Sequence, residues 1–286
     1  ELRAELFPVH NWQLNPRMSL ESSLVYESST IEQAGDVSNK RDFAFLRPKI
    51  DYRFDITPTL QLRAGIEKQV SQLSFSDFSA TVDGSDVDQN TQAGNPGISQ
   101  EQSWRYELNF ELRLPNDIGV LNSQFYYRDI TDVIDRVDVS PSPDNLQSAR
   151  GNIGDGKRYG VNLDLSARLS FLGLTNALLT TGLSLRDSEV LDPFLKVKRR
   201  MRNNGRWTAR SSFRHDITSL GMSYGFRYEM NSNGGSGRTE VDVFDTEERI
   251  FQPEISAFIE KQAFRSYTFR FEASNIHPVS YTHLRA

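Results

Sequence analysis

The feature that most constrains this chain is a hydropathy period of two. From Trp104 to Leu114 every even position is apolar: Trp104, Tyr106, Leu108, Phe110, Leu112 and Leu114. The intervening Arg105, Glu107, Asn109, Glu111 and Arg113 are all polar. Successive side chains on a strand point to opposite faces, so this segment reads as one long strand with an apolar face and a charged face. The odd positions from Tyr159 to Phe171, and the even positions from Leu46 to Phe54 and from Leu220 to Met230, repeat the pattern. No apolar spacing of period 3.6 competes with it. The alternation predicts twelve strands, at 2–9, 16–30, 42–55, 59–73, 100–114, 118–130, 157–171, 176–189, 206–216, 219–231, 252–263 and 265–275.

Connection lengths alternate too. Short turns follow the odd-numbered strands, for example Ile56-Thr57-Pro58, Pro115-Asn116-Asp117, Leu172-Gly173-Leu174-Thr175 and Ile217-Thr218. Long polar loops, roughly 31–41, 74–99, 131–156, 190–205 and 232–251, follow the even ones. An eleven-residue strand rises ~36 Å. Tilted by ~45° it spans the ~25 Å apolar band of an outer-membrane barrel, whose periplasmic turns are short and extracellular loops long. The expected fold is therefore all-β: an antiparallel, up-and-down transmembrane β-barrel segment of about twelve long strands. A soluble sandwich also alternates, but its strands run ~5–6 residues. Trp104, Tyr126, Tyr127, Trp207 and Tyr228 lie near strand ends, as in an interfacial aromatic girdle or simply as good strand formers.

Composition agrees once one face is assigned to lipid. Hydrophobic residues make up only 37% of the 286 residues, as expected when half of each strand lines a polar lumen. No run approaches the ~20 apolar residues of a membrane helix. Aromatic residues at 11% argue against disorder. With 33 Lys and Arg against 38 Asp and Glu, and no basic block, nothing points to nucleic acid. The absence of cysteine excludes disulfides, thiol catalysis and thiolate metal sites. Four histidines, two of them in the last ten residues, leave little for a metal or proton relay.

No catalytic signature is present, so no enzyme, cofactor or metal site is expected. Gly151 to Gly156 is glycine-rich and precedes Lys157 but leads into a strand, which suits loop geometry with positive φ rather than a phosphate loop. Asp83, Asp86 and Asp88 cluster in one loop without the spacing of a calcium site. Arg47, Lys49, Arg105, Glu107, Glu111, Arg113 and Arg168 are expected to line the lumen as a ladder of ion pairs across neighbouring strands. His10 and His215 fall at short-turn ends of strands.

Several segments resemble one family. These are Gln72 to Phe78, then Ala93-Gly94-Asn95-Pro96-Gly97, Trp104 with Glu107, and Phe125 to Ile134. Gly151 to Gly156 and Ser188 to Pro193 complete the order. Together they resemble the C-terminal barrel region of TonB-dependent outer-membrane receptors, over residues 1–276. That resemblance implies active uptake of a scarce small-molecule ligand, such as an iron–siderophore complex, across the outer membrane of a Gram-negative bacterium. It implies a 22-stranded barrel with a plug domain and first strands outside this sequence, and a TonB complex acting through the plug. Partners would be outer-membrane lipid, those missing parts and the ligand. Tyr126, Tyr127, Arg128, Asp129 and Asp132, at the outer rim, are the candidate ligand-binding residues, with the outer loops as their setting. Asp135 is grouped with Asp129 and Asp132 as a rim residue. Residues 277–286 read as a non-native tail, because 279–286 resembles translated sequencing adapter. The alternative function is a passive porin or diffusion channel; an adhesin or soluble β-protein is a third reading.

Overall fold

The computed structural model describes residues 2–33, 39–74, 77–78, 80–82, 91–202, 204–231, 239–243, 246–250, 253–264, 267–276 and 282–285. The wall strands are β1 (Leu2–Leu6), β2 (Val9–Asn15), β3 (Met18–Gln33), β4 (Asn39–Thr57) and β5 (Leu60–Val70). They continue as β6 (Gln102–Arg113), β7 (Gly119–Thr131), β8 (Gly156–Arg168) and β9 (Ala177–Leu191). The last are β10 (Trp207–Ile217), β11 (Met222–Asn231), β12 (Glu254–Ala263) and β13 (Tyr267–Ser274). From β3 onward each strand pairs antiparallel with the next in sequence, an uninterrupted meander. The pair Lys198–Arg199 adds a short rung to β9.

The edge differs from expectation. β1 and β2 pair with β3 in one continuous register, Leu6 opposite Tyr26 and Val9 opposite Ser23. They are one edge strand interrupted at Phe7 and Pro8. Pro8 still accepts from the Leu24 N–H at 3.2 Å but has no N–H to return, so one rung is lost. The strand thus runs to Asn15, and the turn lies at Pro16 and Arg17. Counted this way the wall has the twelve strands that the alternation predicts.

Short connections close with turn chemistry. Asn116 (φ 57°), Gly173 (φ 79°), Asn176 (φ 62°) and Gly221 (φ 57°) take left-handed conformations there. His215 bridges one such end, with its ring nitrogens 3.1 Å from the Tyr224 hydroxyl and 3.0 Å from the Thr175 carbonyl.

The two faces of the wall are inverted relative to a water-soluble sheet. Trp104, Tyr106 and Leu108 are 38–45% exposed, whereas Arg105 and Glu107 between them are more enclosed. The register carries that outer face across the sheet. Ile50, Ile66, Tyr106, Tyr127 and Tyr159 form one row, and Trp104, Asp129, Lys157 and Glu189 form the row toward the long loops. Rings pack within the outer face, Phe213 with Phe226 at 5.8 Å and Phe110 with Phe125 at 6.2 Å. A contiguous apolar band of this size is unstable against water and natural against hydrocarbon. No described helix is long and apolar enough to cross a membrane.

The long loops are more than polar links. Thr81–Val82, Thr91–Ala93, Ile134–Asp138 and Ser148–Asn152 form a separate four-stranded sheet. Two apolar clusters support it: Leu73, Phe78 and Ile98, and Ile130, Val133, Val190 and Met201. Loop composition concealed this layer, because its strands are two to five residues long and its core is gathered from separate loops. Of the Gly151–Gly156 segment only Gly154 (φ 100°) needs a positive φ. Gly156 leaves space for the neighbouring backbone, since a Cβ there would lie 2.9 Å from the Glu189 carbonyl oxygen. Near the end of the chain, Thr282–Arg285 pairs with Thr246–Ile250.

Candidate functional site

The register puts the seven residues expected to line the lumen on the face opposite the row of Ile50, Ile66, Tyr106, Tyr127 and Tyr159. Their pairing departs from a simple cross-strand ladder. Lys49 pairs with Asp51 at 2.6 Å, Arg105 with Glu107, and Arg113 with Glu111 at 3.2 Å, all two residues apart on one strand. Such neighbours share a face, and a flexible arginine or lysine stem bends back to meet them. Arg47 does reach across, to Glu5 at 2.9 Å and Glu27 at 3.5 Å. Arg168 lies beside the short turn, its N–H donating to the Ile118 carbonyl at 2.7 Å.

Like Arg47 and Glu5, which meet over β3, further pairs skip a strand. Arg210 on β10 reaches Asp164 on β8 at 2.5 Å, over Gly182 on β9. A Cβ at Gly182 would sit 2.6 Å from the Arg210 side chain and 2.7 Å from Asp164. Here glycine serves as a gap through which charges meet. Gly160 plays the same part beneath Tyr126, whose hydroxyl lies 2.8 Å from where its Cβ would be.

The loop layer is held by arginines paired with buried carboxylates, pairs that sequence reading missed. Arg199 contacts Asp135 at 3.1 Å and Asp192, whose side chains are 2% and 0% exposed. Arg136 meets Asp242 at 3.4 Å, and Arg150 meets Asp77. Asn95 receives the Gly97 N–H at 3.0 Å and donates to the Arg150 carbonyl at 3.0 Å, so the Asn-Pro-Gly turn also pins two loops together. Asp135, grouped by sequence with the rim residues, is a buried member of this network. The only local hint was Asp192 followed by Pro193, a turn signal. Asp partners many residues away leave no periodic trace.

Burial alone would raise the Asp192 pKa, but the Leu195 and Phe194 N–H groups and the Arg199 guanidinium hold it below the usual carboxylate range. The N–H contacts are 2.7 and 2.8 Å. A depressed folded-state pKa stabilises the loop above the unfolded value of about 3.9. That contribution is lost as pH falls through the lower folded value. Hydrogen-exchange protection of the Phe194 and Leu195 amides should therefore hold from pH 8 to about pH 4 and collapse only below it. Collapse near neutrality would contradict this assignment.

The sequence grouped Tyr126, Tyr127, Arg128, Asp129 and Asp132 as one rim cluster; the register separates them. Tyr126 and Arg128 face the lumen. Tyr127 and Asp129 face outward, Tyr127 packing on Tyr106 at 6.2 Å. Asp132 (φ 59°) starts the loop, its carbonyl held by Asn152 at 2.9 Å. Arg158, omitted from the sequence list of lumen residues, stands directly opposite Arg128. Asp83, Asp86 and Asp88 lie outside the described residues. Among the described residues no three histidine, aspartate or glutamate side chains gather as metal ligands would.

An apolar outside, a charged inside and an interlocked loop layer at one end define the wall of a transmembrane β-barrel. The chain belongs to the TonB-dependent receptor-like β-barrel family, whose model matches residues 3–270. Members of that family are outer-membrane transport receptors rather than enzymes. No curated protein sequence matches. The fold is similar to that of the copper transporter OprC, at TM-score 0.69 and 12% identity over 96% of this chain and 42% of that one. It is similar to the FrpB iron transporter from Neisseria meningitidis (F3-3 variant), at 0.68 and 13% over 98% and 41%. The ferric yersiniabactin uptake receptor FyuA from Yersinia pestis aligns at 0.67 and 14% over 96% and 40%. The chain thus spans about two fifths of the length of these receptors.

Proposed function

We propose that this chain supplies wall and entrance loops to a receptor that actively imports a scarce small ligand, such as an iron–siderophore complex, across a Gram-negative outer membrane. The loop layer carries this reading: ion pairs and apolar clusters join segments from separate connections over one end of a polar lumen. Such a roof suits capture and selection, whereas free diffusion is served by an open mouth. The iron and copper transporters of similar fold support the cargo class. Energy would come from a TonB complex acting through a plug domain. Ligand contact would fall to the loops and to lumen-facing Tyr126 and Arg128.

The test is growth and radiolabelled iron–siderophore uptake in iron-limited cells carrying or lacking the intact gene. Uptake should require the gene and fall at least tenfold, about 1.4 kcal/mol in effective terms, when TonB is deleted. Gene-dependent uptake that persists without TonB would establish the passive channel instead.

A further inference from the structure

One register line crosses the lumen face just below the roof. It runs from Lys49 through Glu67, Arg105, Arg128 and Arg158 to Ser188 on six successive strands. Three arginines therefore stand directly opposite one another on β6, β7 and β8. Directly opposed side chains on one face lie ~4.5–5.5 Å apart at Cβ, where like charges destabilise a sheet. Like charges face each other in pairs elsewhere on the wall, as Arg53 opposite Arg63 and Glu5 opposite Glu27, but nowhere else among the described residues do three stand in line, so this row needs a reason.

The carboxylates nearby do not neutralise it. Glu107 is shared between Arg105 and the Gln124 amide at 3.3 Å. Glu67 accepts from Gln69 at 2.9 Å and stands between Lys49 and Arg105. Arg158 donates to the Met201 sulfur at 3.7 Å, a weak acceptor. Among the described residues the Nε atoms of Arg105 and Arg158 are enclosed and have no hydrogen-bond partner. Arg128 has no ion pair or side-chain hydrogen bond among the described residues. Donors on Arg128 and Arg158 are thus uncommitted among the described residues, and all three side chains are partly exposed.

We infer that Arg105, Arg128 and Arg158 form an anion site that takes a carboxylate or phosphate group of the imported ligand. Guanidinium forks match both groups in bidentate geometry. A row of three spans ~10 Å, enough for a ligand bearing two or more acidic groups. Its position beneath the roof makes it a second station, reached after the loops have been passed. Equating the bound anion with cargo rests on the uptake reading above; the site itself does not.

The test uses the intact receptor purified in detergent, titrated calorimetrically with citrate and, separately, with inorganic phosphate. At least one should bind the wild type, and which one does identifies the acid group. Arg128→Gln should weaken that binding about ten- to a hundredfold. The same change should leave unchanged or raise the thermal midpoint of the anion-free protein, because it relieves repulsion. Arg17→Gln, in a turn at the far end, should change neither. The inference is overturned if neither anion binds at about 10 mM, if Arg128→Gln binds like wild type, or if that variant lowers the midpoint. TonB-independent uptake alongside intact citrate or phosphate binding would remove the receptor reading and leave the anion site standing.

Discussion

Arginine in place of Leu108 is expected to destabilise the membrane-inserted protein by about 2–4 kcal/mol, the cost of a cation on the lipid face near the bilayer midplane. Leu108 is 45% exposed and lies midway along β6, so a water-soluble reading would make the substitution harmless. Gln124→Arg is the control. It sits on the neighbouring strand beside Phe125, the partner of Leu108, but points into the lumen next to Glu107. It gives up hydrogen bonds with Glu107 and Asn162, so its effect should be about 1 kcal/mol or less. Reversible denaturation from lipid vesicles gives both numbers. Equal costs for the two would sink the assignment of faces, because only the lipid separates their environments.

The second large effect concerns the roof. Arg199→Met leaves Asp192 and Asp135 enclosed without their cation, at an expected cost of about 3–5 kcal/mol. The loss should be local. Protection from proteolysis and hydrogen exchange should vanish across 132–155 and 190–206 while the wall stays closed to exchange. Removing the carboxylates as well, in Asp135→Asn, Asp192→Asn and Arg199→Met together, should recover a large part of that cost. A triple variant as damaged as the single one would mean that the cluster acts through shape, not charge.

Much of the wall was legible because membrane strands obey one local rule over many residues. Trp104–Leu114 and Tyr159–Phe171 alternate without a break, and the same rule puts Arg47, Arg105 and Glu107 on one face of the sheet. It also separates Tyr126 from Tyr127, a distinction lost when both were grouped by nearness to the rim. What could not be read lacks a period. Val9–Asn15 continues an edge strand past Pro8, where only pairing with β3 shows that the chain has not turned. Asp135 and Arg199 are 64 residues apart, and Asp77 and Arg150 are 73 apart. Nothing in either local sequence announces the other.

That contrast bears on the order in which the molecule assembles. The wall is a succession of hairpins, each completed by the next stretch of chain, and contacts between near neighbours form first because their loops are cheap to close. The roof has no such local unit. Ser148 meets Asp242 at 2.9 Å from 94 positions away in the sequence, spanning four wall strands. The cap over the entrance can therefore lock only after most of the wall beneath it is in register. A barrel inserted with one hairpin slipped would still look like a barrel in cross-section, yet its gateway would not click shut. Roof closure is thus a built-in inspection step, and a probe on Arg199 or Arg136 would report correct assembly of strands that it never touches.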